Sequence, residues 1–406
     1  MDNGCLVVRK WQVEPAKIER RRFHRPTLQT LTNEGKNYLF NYNDIYIEAT
    51  EGETFTVNWG DGASETFTGG YWLPLPSHKY ATAGTYNVRV ESKSTGCRFT
   101  LFAIPYTTTN LTFFDCSAMD TLYCVKCQLS HLDLTPFKNL LFFHCIDSKF
   151  KKIDLSSCTK LQELYCKNNL SLSELILGEK PNLYEVECEN NNLFEFDLSG
   201  CSYLINVLCN NNKLTKIDLP PDLSKLRFFD CSDNQLTHLE LTPIPHNEYE
   251  YAIILSFNNK LQLSELYNIN LFADYYTYLG TQNLSSFGAQ LDEELFADQS
   301  EFEGIFTQYA IVKDGAPALE SDYTITEGKL TFHNRGIYTV TMTNDAIVSN
   351  PEYPAKVVVN VNVSNVGITE NQLSDIKVYP NPTTGKLTIN NTPHLIYRIC
   401  LLVYIL

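Results

Sequence analysis

Apolar residues return along the middle of the chain in short alternating bursts. One series reads Leu122-Tyr-Cys124, Phe143-His-Cys145, Leu164-Tyr-Cys166, Val186-Glu-Cys188, Val207-Leu-Cys209 and Phe229-Asp-Cys231. Its cysteines stand 21, 21, 22, 21 and 22 residues apart. A second series reads Leu132-Asp-Leu134, Ile153-Asp-Leu155, Phe196-Asp-Leu198, Ile217-Asp-Leu219 and Leu239-Glu-Leu241. Side chains alternate faces along a strand, so each burst predicts a short strand with its first and third residues on one side. The fixed interval predicts a solenoid, because one coil cannot bury its apolar face alone and stacked neighbours can. A buried aliphatic side chain contributes about 1.5–3 kcal/mol, which offsets the ordering of a coil only when neighbours share the burial.

The cysteines Cys124, Cys145, Cys166, Cys188, Cys209 and Cys231 are expected to act as small hydrophobes in the core rather than as a metal or redox stack. Metal sites use close pairs, and only Cys124 and Cys127 form a CxxC. Three residues after the cysteine stand Asn169, Asn191, Asn212 and Asn234, and Asn259 continues the column. An amide donates and accepts, so an asparagine ladder is expected where each coil turns a corner. Cys127 and Ser148 interrupt that column, which predicts looser corners at the N-terminal end. Asp133, Asp154, Asp197, Asp218 and Glu240 form an outward acidic column, interrupted by Ile176. A solvated face is favoured there over a cation-binding stripe, since calcium needs several ligands around one ion. The segment from Leu261 to Gln282 leaves the frame and is expected to cap the last coil with Tyr275, Tyr276 and Tyr278.

The written repeat, LxxLxCxxNxLxxLDLxxC, resembles the leucine-rich-repeat family over roughly Phe99 to Leu271. The resemblance implies a solenoid of about seven to eight turns over residues 97–280. Upstream, Trp59-Gly-Asp-Gly62, His78-Lys-Tyr80 and Gly84-Thr-Tyr86-Asn-Val88-Arg-Val90 resemble the PKD family of β-sandwich domains over 41–96, with Asp61 as a turn former. Residues 1–40 form a poorly defined N-terminal segment. Downstream, Gly336-Ile-Tyr-Thr-Val-Thr-Met342 and Lys356 to Val363 are similar to immunoglobulin-like domains over 288–365, with a tyrosine-bearing strand at the corner. Val378-Tyr-Pro-Asn-Pro-Thr-Thr-Gly-Lys-Leu-Thr-Ile389 resembles the C-terminal sorting domain of the Bacteroidetes type IX secretion system, with Tyr379, Pro380, Asn381, Pro382 and Gly385 as its motif. Residues 366–406 are read as a truncated form of that tail. The fold class expected is mainly β: a leucine-rich-repeat solenoid flanked by small β-sandwich domains.

Composition narrows the function. The 406 residues hold 32 Lys+Arg against 47 Asp+Glu, a net charge of −15. Such a chain is not expected to bind nucleic acid or anionic lipid, which need clustered cations. No apolar run is long enough for a transmembrane helix, and the N-terminus lacks the apolar stretch of a secretory signal. No nucleophile elbow, phosphate loop, HExxH or GxGxxG is found, so no enzyme, cofactor or metal is expected.

The expected function is therefore recognition of a protein or glycan ligand, from a host or matrix, on the concave face of the repeats. The resemblances imply an extracellular or outer-membrane location and the type IX machinery as an export partner. The residues flanking each inward cysteine face out there: Tyr123, then Phe142 and His144, Tyr165 and Lys167, Glu185, Glu187 and Glu189, Asn206, and Phe228 with Asp230. Tyr123, Phe142, Tyr165 and Phe228 are expected to form an aromatic cluster of interface character, and the three glutamates to suit a basic partner. The other reading is a structural spacer or stalk of the cell surface with no specific ligand.

Overall fold

The computed structural model describes residues 5–8, 11–13, 45–70, 77–104, 108–113, 116–241, 252–272, 277–364, 379–380 and 387–388. The fold is mainly β, with a solenoid of the leucine-rich-repeat type between small β-sandwich units. The first burst of each coil becomes a short strand: Thr121–Tyr123, Phe142–His144, Glu163–Tyr165, Glu185–Glu187, Asn206–Leu208, Phe228–Asp230 and Ile253–Leu255. They stack in parallel and in register, so that Leu122, Phe143, Leu164, Val186, Val207, Phe229 and Ile254 share one inward row. Thr277–Tyr278 adds a further parallel strand, which places Tyr278 in the sheet itself; Tyr275 and Tyr276 lie outside the described residues. At the other end Phe99–Ala103 joins in parallel and Tyr46–Ala49 runs antiparallel along it, completing a sheet of ten strands.

Cys124, Cys145, Cys166, Cys188, Cys209 and Cys231 each have 0% of their surface exposed. Beneath them, the amides of Asn169, Asn191, Asn212, Asn234 and Asn259 are all buried. Asn212 shows the pattern. Its Nδ2 donates to the carbonyls of Cys209 in its own coil (3.1 Å) and Cys188 in the coil before (3.0 Å), and its Oδ1 accepts from Leu193 N (3.0 Å). At the N-terminal end, the corner at Ser148 is closed rather than loose. Ser148 Oγ accepts from Cys127 N (3.1 Å) and donates to Cys124 O (2.5 Å) in the coil before, while Cys145 O of its own coil is met by Asn169 Nδ2 (2.7 Å). The ladder also runs past Asn259. Gln282 Nε2 donates to Ser256 O (2.9 Å) and Leu279 O (2.7 Å), and its Oε1 accepts from Asn259 N (3.1 Å).

A second, outer ladder accompanies the first. Asp147, Asn168, Asn190, Asn211, Asp233 and Asn258 adopt left-handed backbone with φ of 53–60°. Asn and Asp tolerate that region better than other residues with a side chain. Asn168 Nδ2 donates to Asp147 (2.8 Å), Asn190 to Asn168 (2.9 Å), and Asn258 to Asp233 (2.8 Å).

The second bursts form short parallel pairs, Lys152–Asp154 with Glu174–Ile176 and Glu195–Asp197 with Lys216–Asp218. The acidic column works locally. Asp133, Asp154 and Asp197 accept the amides of Thr135 (2.9 Å), Ser156 (3.0 Å) and Ser199 (2.9 Å). The hydroxyls and amides of those three partners hold the carboxyls below their usual range. Asp218 pairs with Lys216 at 2.7 Å.

Where Ile176 replaces the aspartate, the turn is rebuilt. Gly178 takes φ +67°, and Lys180 N bonds Gly200 O (2.9 Å), whereas Cys158 N and Cys201 N bond Leu155 O (2.8 Å) and Leu198 O (2.9 Å). The Leu177 carbonyl is then met by the fully buried Lys180 ammonium at 2.5 Å. That burial pushes the lysine below its ordinary range.

The N-terminal unit carries a five-stranded sheet in the order Ser64–Thr68, Thr54–Asn58, Arg89–Ser92, Cys5–Val8, Leu111–Phe113. Trp59 is buried beneath it, and Tyr80 Oη donates to its carbonyl at 3.0 Å. Asp61 Oδ1 accepts from Ala63 N (3.0 Å) and so closes the tight turn. The C-terminal unit packs a sheet containing Gln308–Lys313, Gly336–Thr343 and Lys356–Val363 against Glu294–Leu295, Lys329–Phe332 and Tyr323–Thr326. Its first strand is Thr281–Asn283, upstream of residue 288. Tyr338 is fully buried, and its Oη donates to Asn334 O at 2.7 Å. Tyr338→Phe is expected to leave that carbonyl short of a donor and to lower stability by about 1 kcal/mol, read from denaturant unfolding. In the tail, Tyr379–Pro380 pairs with Leu387–Thr388; Asn381, Pro382 and Gly385 lie outside the described residues.

Candidate functional site

The inward row of the parallel sheet is filled by core, so its other face is the surface on which the coils display side chains. Register fixes who stands beside whom. The first row runs Leu101, Thr121, Phe142, Glu163, Glu185, Asn206, Phe228, Ile253. The second runs Tyr46, Ala103, Tyr123, His144, Tyr165, Glu187, Leu208, Asp230, Leu255. Lys167 and Glu189 lie two residues beyond the second row on their strands.

The N-terminal half of this face is aromatic. Tyr46, Leu101 and Ala103 form an apolar cluster separate from the main core, and Tyr123 packs on it. His144 then stands edge-on between Tyr123 and Tyr165, with ring centroids 4.7 Å and 4.4 Å away. Burial, with Lys167 nearby, pulls His144 down to about 4, so the imidazole is neutral at physiological pH. Its Nε2 is buried without a hydrogen-bond partner among the described residues. The aromatic cluster expected from the sequence is therefore divided. Tyr123 and Tyr165 belong to it through His144. Phe142 stands one row over, and Phe228 is three strands from Tyr165 (the Glu185–Glu187 and Asn206–Leu208 strands intervene). Strands lie about 4.8 Å apart, so Phe228 is roughly 14 Å along the sheet and outside ring contact.

The centre of the face is acidic, with one cation set into it. Lys167 Nζ reaches Glu187 Oε2 at 2.5 Å and Glu189 Oε1 at 3.3 Å. The three glutamates of one strand are thus not a uniform acidic turn, because two share this ammonium. Glu189 keeps a second oxygen buried and without a hydrogen-bond partner among the described residues. Burial pushes the carboxyls of Glu185, Glu189 and Asp230 above their usual range. Asp230 also accepts from Ser232 N (3.0 Å) and Ser232 Oγ (2.6 Å). Tyr184 Oη donates to Glu163, and Asn206 Nδ2 approaches Glu185 at 3.5 Å.

Every side chain singled out from the sequence for this face, from Tyr123 to Asp230, is half-buried rather than free in solvent. Sequence reading did not find Tyr46 and Leu101, which come from strands outside the six matched repeats. Their signal was present only as alternation in Tyr46-Ile-Glu-Ala49 and Phe99-Thr-Leu-Phe-Ala103. Among the described residues no group of three His, Cys, Asp or Glu is placed to hold a metal ion, and no helix is long and apolar enough to cross a membrane.

No protein-family model and no curated protein matches the chain. Among solved structures, InlP of Listeria monocytogenes is similar at 15% identity, over 62% of this chain and 82% of that one, with a TM-score of 0.31. An internalin-like protein of the same organism is similar at 13% identity, over 59% and 81%, with a TM-score of 0.26. The functional domain of InlJ from Listeria monocytogenes, described as including a cysteine ladder, is similar at 17% identity, over 65% and 86%, with a TM-score of 0.20.

Proposed function

We propose that this chain is a non-catalytic recognition protein that binds a protein or glycan partner, of host or matrix origin, on the open face of its parallel sheet. The observation that carries this reading is a face of registered side chains, half-buried and held in place by their neighbours. An aromatic platform there adjoins carboxylates that burial makes costly. Side chains already ordered before binding lose little freedom on contact, which favours affinity. Aromatic groups fixed this way supply much of the energy at recognition surfaces.

The full chain with Tyr165→Ser and Phe228→Ser together is expected to adhere to host cells or matrix at least about tenfold more weakly than the parent. Unchanged adhesion rejects this face. The resemblance of the Tyr379–Gly385 segment to a type IX sorting motif supports a place outside the cell or on its outer surface.

A second reading, a spacer without a ligand, is favoured by one observation. The solenoid runs into the C-terminal sandwich with no linker. Gly280 N bonds Tyr353 O (3.1 Å) and Lys356 N bonds Gly280 O (3.0 Å), while Gln282 belongs both to the ladder and to the sandwich sheet. Saturable capture of one partner by the full chain, lost in the double variant, separates recognition from spacing.

A further inference from the structure

Glu163 and Glu185 are direct cross-strand partners on the open face. Like charges at such positions repel and lower stability. The structure offers them little relief. Lys167 turns to Glu187 and Glu189, and neither Glu163 nor Glu185 has an ion-pair partner within 4 Å among the described residues. What they do have is one phenol, one distant amide and two aromatic neighbours. Phe142 is the register partner of Glu163 on the other side, and Tyr165 lies two residues along the same strand, on the same face. A half-buried carboxylate pair beside two rings matches one cation better than others. Guanidinium is planar, carries a fork of donors for carboxylates, stacks on aromatic faces and is weakly hydrated.

We propose that Glu163 and Glu185, with Phe142 and Tyr165 beside them, form a subsite for an arginine side chain of a protein partner docked on the open face of the sheet. This rests on the reading of that face as a recognition surface, and it selects the protein over the glycan as ligand. The guanidinium lies across the two carboxylates, and the aromatic platform from Tyr46 to Tyr165 receives apolar residues of the same segment. Charge complementarity carries the assignment, together with the lack, among the described residues, of an ion-pair partner within 4 Å for either carboxylate; Lys167 acts on Glu185 only from beyond that distance. The repulsion that the free chain tolerates is removed when the partner binds.

The test uses the full chain and fluorescein-labelled oligoarginine, oligolysine and oligocitrulline of equal length, followed by anisotropy at physiological ionic strength. Oligoarginine is expected to bind more tightly than oligolysine, and oligocitrulline not measurably. Glu163→Gln with Glu185→Gln is expected to weaken oligoarginine binding about tenfold. Glu51→Gln with Glu320→Gln, the same charge change at two exposed sites, is expected to change it less than about twofold. Equal weakening by both double variants, no weakening by the first, or equal affinity for oligolysine overturns the subsite.

Removing the repulsion is also expected to hold or raise the thermal midpoint. A clear fall overturns the assignment, since it means the two carboxylates serve the fold. If Tyr165→Ser with Phe228→Ser abolishes adhesion while Glu163→Gln with Glu185→Gln leaves adhesion and oligoarginine binding intact, the subsite falls and the recognition face stands. If neither pair alters adhesion, the face falls with it.

Discussion

Asn212→Leu is expected to lower the stability of the solenoid by about 2–4 kcal/mol although the two side chains have the same number of heavy atoms and the same branching. The cost comes from the backbone. Leu193 N loses its acceptor, Oδ1 of Asn212, in a place where no water reaches it. Cys188 O and Cys209 O each lose one donor but keep another, from Asn191 (2.7 Å) and Asn234 (3.1 Å). The orphaned amide therefore dominates, and the carbonyls contribute less. Asn212→Ser is expected to cost less than Asn212→Leu, because Ser148 already closes one corner of this solenoid with a hydroxyl. Denaturant unfolding ranks the two variants, and hydrogen exchange at Leu193 N locates the effect. Equal stability of parent and Asn212→Leu would falsify the ladder as a source of cohesion between coils.

That ladder was legible in the sequence because it is periodic. A period repeats its own signal, so the spacing alone points Cys188 and Asn191 inward. The ends of the solenoid carry no such signal. Tyr46–Ala49 pairs antiparallel and Gln282 stands where an asparagine is expected, and each is a single instance that only tertiary context reveals. The outer ladder was visible as Asn-Asn and Asp-Asn dipeptides (Asn168-Asn169, Asn190-Asn191, Asn211-Asn212, Asp233-Asn234, Asn258-Asn259). Its meaning lies in a left-handed backbone that the pattern of apolar residues does not report.

On the open face, alternation along the chain indicates which positions point outward but not which partners they meet. It could not show that Lys167 pairs with Glu187 and Glu189 while leaving Glu163 and Glu185 together, because that depends on which strands are adjacent and in what register. Lys180 is the same lesson in the core. Its cause is Ile176, four residues earlier, which removes the aspartate that caps the equivalent turn elsewhere.

The buried thiols give the chain a steep alkaline limit. Burial pushes Cys124, Cys145, Cys188 and Cys209 well above the ordinary thiol range, raises Cys158 and Cys231, and takes Cys201 up to about 12. In the unfolded chain a thiol ionises near pH 8.5. Above that value the unfolded state releases protons that the folded state retains, so stability is full below about pH 8.5 and is lost as pH rises through the folded values. Each such thiol contributes about 1.4 kcal/mol of loss per pH unit once the pH is well above 8.5. Lys180, lowered by burial, and Cys127, lowered chiefly by its hydrogen bond with Cys124, act in the opposite sense, because the unfolded state is then the better proton binder, but they are two groups against several. Total stabilities are about 5–15 kcal/mol, so the thiols together are large enough to unfold the solenoid near pH 10. The expected result, in the presence of a reductant, is a denaturant midpoint that falls sharply between about pH 9 and 10. Replacing Cys188 and Cys209 by Val keeps the core apolar and is expected to flatten that slope by about two protons. A slope unchanged by the double replacement would mean that those two thiols ionise alike in both states and would overturn this account of the alkaline limit.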